Sequence, residues 1–193
     1  VKFAEQYFPE LLPNLSTCKS PQQMLGAVCK TTLPEELGIG KHDLVMVSIM
    51  PCTAKKYEAR RREFNPENVP DVDQVLTTQE LARMIEEAGL KFNQLEPESF
   101  DMPLGFKTGA GLIFGNSGGV SEAVLRYAAE KVTGRLLPSP NFQAVRGEGG
   151  MRMATVDLGG QQLKLAVVHG LKNARTIAER VRHGECDFDL IEV

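Results

Sequence analysis

Residues 43–50, DLVMVSIM, form a short, β-branched and almost continuously apolar run. That pattern predicts a strand covered on both faces. The run leads into Pro51 and Cys52, and the polar stretch TAKKYEARRREF beyond them predicts a helix. Cys52 is therefore expected just past the C-terminal end of a buried strand and near a helix N-terminus. Open α/β sheets hold their ligands at such places. Upstream, Phe3, Ala4, Tyr7, Phe8 and Leu11 recur at helical spacing, with Pro9 interrupting them. Ser20 followed by Pro21 reads as an N-cap and a first helical position. A second helix is expected from Ser20 to about Lys30.

Farther along, Val75 and Leu76 predict a short strand. A helix follows, capped at Thr77 or Thr78 and closed by Gly89. Residues 93–108 read as a polar loop with Pro97 and Pro103. The Gly-rich stretch after it leads into a helix with Val120, Ala123, Val124, Tyr127 and Ala128 on one face, ended by Gly134. MRMATVDLGGQQLKLAVVHG predicts a β-hairpin turning at Gly159-Gly160. LKNARTIAERVRHGE predicts a helix, and FDLIEV a strand. The expected fold is α/β, a mainly parallel sheet flanked by helices with an antiparallel hairpin element. The chain stops inside a core-like strand, so residues 1–193 are expected to be one fragment of a single domain, truncated at both ends.

Composition narrows the function classes. With 42% hydrophobic and 24% charged residues the chain is globular, and 193 residues can bury a core without staples. Lys and Arg total 22 against 25 Asp and Glu, a net charge of -3, which excludes a strongly basic nucleic-acid footprint. No apolar run approaches the roughly 18 residues of a membrane span. The opening residues lack the apolar stretch of a signal peptide. A cytoplasmic location is expected, with a periplasmic parent left open. The four cysteines, Cys18, Cys29, Cys52 and Cys186, contain no C-x-x-C pair. A self-contained zinc or redox motif is therefore absent, and the irregular spacing argues against a disulfide framework. Cys18, Cys29 and Cys186 are read as structural. His42, His169 and His183 are dispersed, and no metal is assigned to them.

The chemistry concentrates in Met50-Pro51-Cys52-Thr53-Ala54-Lys55-Lys56-Tyr57-Glu58. At helical spacing Lys55 and Glu58 share a face and can hydrogen-bond. A cation and a helix N-terminus beside Cys52 favour the thiolate, the form that a metal or a covalent intermediate requires. On spacing alone, a structural strand-to-helix turn with a solvated basic helix accounts for the segment equally well. The same holds elsewhere: Ser16 suits a cap or loop, Met50 and Phe114 suit a core, and Gln22 suits a solvated first turn. The Gly-rich loop at 109–119 has no GxGxxG or Walker pattern, so a nucleotide site is rejected. Arg60, Arg61 and Arg62 read as a solvated helix face.

MPCTAKKYE resembles the second signature of the iron-only (di-iron) hydrogenases, MPCxxKxxE, at every specified position. Other stretches agree with that family in order. They are Asn14-Leu15-Ser16, Ser20-Pro21-Gln22-Gln23, Gly109-Ala110-Gly111, Ile113-Phe114-Gly115 and Gly118-Gly119-Val120. The closing residues 188–193 resemble the strand that leads into the family's third signature, so the likeness covers essentially the whole chain.

The resemblance implies a parent enzyme that reversibly oxidises dihydrogen to protons and electrons. Its cofactor would be a four-iron four-sulfur cluster joined to a di-iron unit with CO, cyanide and a bridging dithiolate. Cys52 would be one of four cluster cysteines, a soft ligand of the kind such clusters take. Lys55 would donate hydrogen bonds to a cyanide, and Glu58 would belong to the polar shell that orients Lys55. Met50 and Phe114 would wall the di-iron pocket, with Pro21 and Gln22 on its opposite side. Ser16 would pass protons, since a hydroxyl both donates and accepts. Implied partners are the rest of the hydrogenase chain and an electron carrier such as ferredoxin or a nicotinamide-linked subunit.

The first and third signatures, with the other cluster cysteines, are not in this sequence. The isolated chain is thus expected to bind no complete cluster, to turn over no hydrogen and to self-associate through exposed apolar edges. The alternatives are a hydrogen-sensing relative, an iron–sulfur assembly factor of the same superfamily, and a generic α/β binding module with a structural Cys52. Met50, Lys55 and the SPQQ stretch argue against the assembly factor.

Overall fold

The computed structural model describes residues 1–102, 104–105, 109–136, 143–144 and 149–193. Pro103 and residues 106–108 of the expected polar loop lie outside them. In chain order the elements are Lys2–Tyr7 (α1), Pro21–Leu37 (α2), Val47–Met50 (β1), Ala54–Ala59 (α3), Gln74–Thr77 (β2), Thr78–Glu87 (α4), Gly109–Ile113 (α5), Gly119–Thr133 (α6), Gln143–Ala144 (β3), Met151–Leu158 (β4), Gln161–Val168 (β5), Gly170–Arg182 (α7) and Leu190–Glu192 (β6). They fall into two compact units, one spanning Thr17–Leu104 and the other joining Val1–Ser16 to Gly105–Val193.

In the Thr17–Leu104 unit, α2 starts where the sequence predicts. The Ser20 hydroxyl accepts from the Gln23 N–H at 3.4 Å, and Pro21 takes the first position. The helix continues past Lys30 to Leu37 and ends on Gly38 in the left-handed conformation. Pro34 lies in its last turn, where it costs the ladder only the bond to the Lys30 carbonyl. Gly26 lets α2 approach the loop before β2: a Cβ there would sit 2.4 Å from the Asp71 carbonyl oxygen.

The strand expected over 43–50 shortens to β1. Met46, just before it, is instead tied to Asp73, whose carboxylate accepts from the Met46 N–H at 2.6 Å. β1 pairs in parallel with β2, placing Ser48 opposite Val75 and Met50 opposite Thr77. Cover on both faces, expected from the apolar run, is not found. Val47 is 49% exposed and Ile49 47%, because a two-stranded sheet leaves that face with little cover. The helix expected after Cys52 is likewise short, ending at Ala59 and giving way to a 3-10 turn at Arg62–Phe64. α4 has the expected cap: Thr77 and Glu80 form a reciprocal capping box.

In the other unit, β3, β4, β5 and β6 make one sheet in that order. The hairpin turns at Gly159 and Gly160, both at positive φ, as a two-residue turn of that hand requires. The strand covered on both faces is β5. Leu165 packs with Leu125 of α6, while Ala166 and Val168 pack with Ile177 of α7. Within α6 the buried line is Ser121, Leu125 and Ala129, whereas Val124 and Tyr127 are exposed. The expected face was thus rotated by about one residue.

The expected α/β architecture with its hairpin is present, as helices with two small sheets. Parallel pairing is a smaller share than expected: β1–β2 and β5–β6 are parallel, β3–β4 and β4–β5 antiparallel. Among the described residues no helix is long and apolar enough to cross a membrane.

Candidate iron–sulfur site

The MPCTAKKYE segment folds as strand, turn and short helix. Met50 ends β1 on its half-buried face, Pro51 and Cys52 leave the sheet, and α3 begins at Ala54. The turn is closed by the backbone, with the Lys55 N–H donating to the Cys52 carbonyl at 3.3 Å. Cys52 is exposed. Lys55 and Glu58 lie three residues apart on α3, and their Nζ–Oε2 distance is 2.7 Å. Both are half-buried. The pair engages one of the ammonium's three donors and fixes the cation on α3. Next to it, Lys56 Nζ donates to the Val75 carbonyl at 2.8 Å and pairs with Glu80 at 2.7 Å, fixing α3 to β2 and α4.

The Ser48 face of β1 meets the first turn of α2. Ser48 Oγ donates to Gln22 Oε1 at 2.9 Å. Successive residues of a strand alternate faces, so Ser48 and Met50 project to the same side. Gln22 is therefore brought to the Met50 side, while Pro21 before it is exposed. Behind Gln22 the unit buries an unusual number of polar groups: Gln23, Lys30 and Asp71 are all buried. Lys30 Nζ bonds the Leu44 carbonyl and sits 2.8 Å from Asp73, and Lys19 pairs with Asp71 at 2.5 Å. Gln22 Nε2 and both side-chain polar atoms of Gln23 have no hydrogen-bond partner among the described residues. Sequence reading missed Ser48 and Gln23. Ser48 was legible as the polar residue two positions before Met50; Gln23 carries no periodic signal.

Ser16 and Phe114 belong to the other unit. Ser16 is exposed after the opening 3-10 turn, and Phe114 follows α5 with its N–H on the Ala110 carbonyl at 3.2 Å. The Gly-rich loop there already holds an anion of its own. The Glu192 carboxylate accepts from the Gly118 and Ser121 N–H groups, each at 3.0 Å, and from the Ser121 hydroxyl at 2.6 Å. That contact occupies the α6 N-terminus where a phosphate would bind, in keeping with the missing nucleotide motif. Of the remaining thiols, Cys29 is buried in α2, and burial pushes its pKa up. Cys186 is half-buried against the Ile177 cluster. Cys18, also read as structural, is exposed.

The family whose sequence model is described as the iron only hydrogenase large subunit, C-terminal domain, matches residues 1–193. This chain belongs to that hydrogenase family. It is 49% identical over its full length to the NADP-reducing hydrogenase subunit HndD of Solidesulfovibrio fructosivorans, covering 33% of that protein. It is 47% identical, over 99% of the chain, to the periplasmic Fe hydrogenase large subunit of Nitratidesulfovibrio vulgaris, covering 45% of it. A solved variant of the FeFe-hydrogenase HydA1 from Chlamydomonas reinhardtii superposes with TM-score 0.83 at 35% identity, over 98% of this chain and 55% of that one. The chain thus spans a third to somewhat over half of the hydrogenases it matches. More distant relatives include Protein NAR1 of Arabidopsis thaliana, 35% identical over 95% of the chain and 41% of that protein.

The donor set suits part of an iron–sulfur site. Cys52 offers one soft thiol on an exposed turn, with a fixed ammonium close in sequence and two buried glutamines carrying unpartnered polar atoms behind it. Among the described residues no group of three or more His, Cys, Asp or Glu could hold a metal ion. Any cluster at Cys52 therefore needs ligands beyond these.

Proposed function

We propose that this chain is part of the catalytic domain of an iron-only hydrogenase and that Cys52 is one thiolate ligand of its active iron–sulfur cluster. The reading rests above all on MPCTAKKYE, a hydrogenase signature that folds here as an exposed thiol at a strand end beside a fixed Lys55–Glu58 pair. When bound, the four-iron four-sulfur and di-iron group supplies dihydrogen cleavage and electron transfer; the protein supplies anchoring, orientation and a proton route.

Each residue then has a task that its own chemistry allows. Cys52 anchors. Lys55 presents ammonium donors to an anionic ligand, and Glu58 keeps that ammonium from swinging away. Met50 lines the pocket from β1 and Gln22 from the first turn of α2, with Pro21 at the rim; the resemblance puts them on opposite sides, and the Ser48 bond brings Gln22 to the Met50 face of β1. Phe114 and Ser16 keep roles that rest on the family resemblance alone, Phe114 as lining and Ser16 as a hydroxyl that hands on protons. The electron partner proposed is a ferredoxin or a nicotinamide-linked subunit; a relative named as an NADP-reducing hydrogenase subunit supports the second.

The test replaces Cys52 with Ala in the intact parent enzyme. Cluster iron should be lost and hydrogen turnover should fall by at least about a hundredfold, more than removal of an outer-shell group causes. Unchanged iron content with unchanged turnover would sink the reading. An intact parent that holds iron but never turns over hydrogen would favour a sensing or assembly role instead.

A further inference from the structure

Ser48 has no part in the signature, yet it makes the one side-chain contact described for Gln22. The geometry points to Ser48 as a positioning residue that fixes the Gln22 amide so that its Nε2 donor faces the cofactor side of β1. This rests on the function proposed above. Three observations carry it. Gln22 is only 6% exposed, so its amide cannot be satisfied by bulk solvent. Ser48 Oγ donates to Gln22 Oε1 at 2.9 Å, which anchors one end of the amide plane. The other end, Nε2, has no partner among the described residues. An amide anchored through its oxygen keeps two N–H donors in fixed directions, one on the oxygen's own edge and one on the far edge. A buried N–H without an acceptor costs roughly what a lost hydrogen bond costs, so it implies an acceptor beyond the described residues.

Ser48 and Met50 project to one side of the strand, so the anchored amide lies on the Met50 side of β1. The acceptor class that fits is a small anionic or carbonyl-type ligand on the iron group. A rigidly held donor affects such a ligand more than a mobile one, because the ordering cost is met before the cofactor arrives.

The experiment compares Ser48→Ala, Ser48→Thr and Gln22→Leu in the full-length parent, by crystal structure and by infrared spectra of the cofactor's CO and cyanide ligands. Ser48→Ala should release the Gln22 side chain from its present rotamer, shift the ligand stretching bands and lower kcat about fivefold. Ser48→Thr, which keeps the hydroxyl, should restore rotamer and bands. Gln22→Leu should reproduce the band shift, and Ser48→Ala added to it should do nothing more. An unmoved Gln22 in the Ser48→Ala crystal overturns the positioning role, whether or not the cofactor is bound. A moved Gln22 with wild-type bands overturns the claim that its donor meets the cofactor. If the wild-type parent shows no CO or cyanide bands at all, the function proposed above fails, and the crystal comparison still decides whether Ser48 positions Gln22.

Discussion

The two units solve the problem of a core in opposite ways. The unit of Val1–Ser16 and Gly105–Val193 is dry at its centre. Leu165, Ala166, Val167 and Val168 run along β5 almost wholly out of solvent, between α6 and α7. The unit of Thr17–Leu104 buries Gln22, Gln23, Lys30 and Asp71 under a two-stranded sheet whose other face is open. Burying polar groups is costly unless they are paired, and among the described residues three glutamine side-chain atoms there have no partner, against one, Arg126 Nε, in the other unit. The polar core lies in the same unit as the hydrogenase signature.

The sharpest way to break that contrast is to damage each core. Leu165 is 1% exposed on the central strand. Leu165→Ala should cost about 3 kcal/mol, through lost transfer energy and the cavity left behind. Amide exchange along β4 and β5 in the intact parent would report it. A cost under about 1 kcal/mol would mean that this core is no better packed than the polar one.

Gln23→Leu asks the opposite question of a residue that is 0% exposed. It removes an unpartnered buried amide and keeps a similar volume. Without bound cofactor the change should lie within about 1 kcal/mol of neutral, or stabilise, as measured by exchange in α2. A loss near that of Leu165→Ala would show that the amide is satisfied in the intact protein, and the polar core would then be structural.

The same contrast explains what was legible in the sequence. The hairpin, its Gly159-Gly160 turn and the Ser20 cap follow local rules and stand where the residues predict, and of the two caps left open, Thr77 and Thr78, Thr77 is used. The Cys52 turn was also legible, because strand end, thiol and Lys55–Glu58 spacing are all local. Cover was not. DLVMVSIM and QLKLAVV are both apolar, and only the neighbours decide that β5 is buried on both faces while Val47 and Ile49 stay open. Periodicity alone also misplaced the inner face of α6, since small residues such as Ser121 and Ala129 sit inward where helix and sheet approach closely. The burial of Gln23 was not legible, for polarity is the signal by which sequence patterns exclude a residue from a core.

The smallest expected effect lies at the surface of the polar unit, where Glu80 joins three elements. Its carboxylate receives Lys56 of α3 at 2.7 Å and the Thr77 N–H at the end of β2 at 2.8 Å, while capping α4. The Lys56 hydrogen bond first, and the Thr77 N–H second, hold its pKa down at about 2. A carboxylate whose pKa is depressed by folding adds stability above its unfolded value of about 4.3 and loses it as pH falls toward the folded one. The contribution is therefore whole at neutral pH and fades between about 4 and about 2. Glu80 is exposed, so solvent screens the pair and the effect on stability stays slight. Lys56→Met should return the Glu80 titration, followed by carboxyl NMR, most of the way to an ordinary glutamate while leaving the exchange of β5 untouched. A Glu80 that still titrated near 2 without Lys56 would assign the depression to the capping box instead, making it a property of one helix end and not a link from α3 to α4.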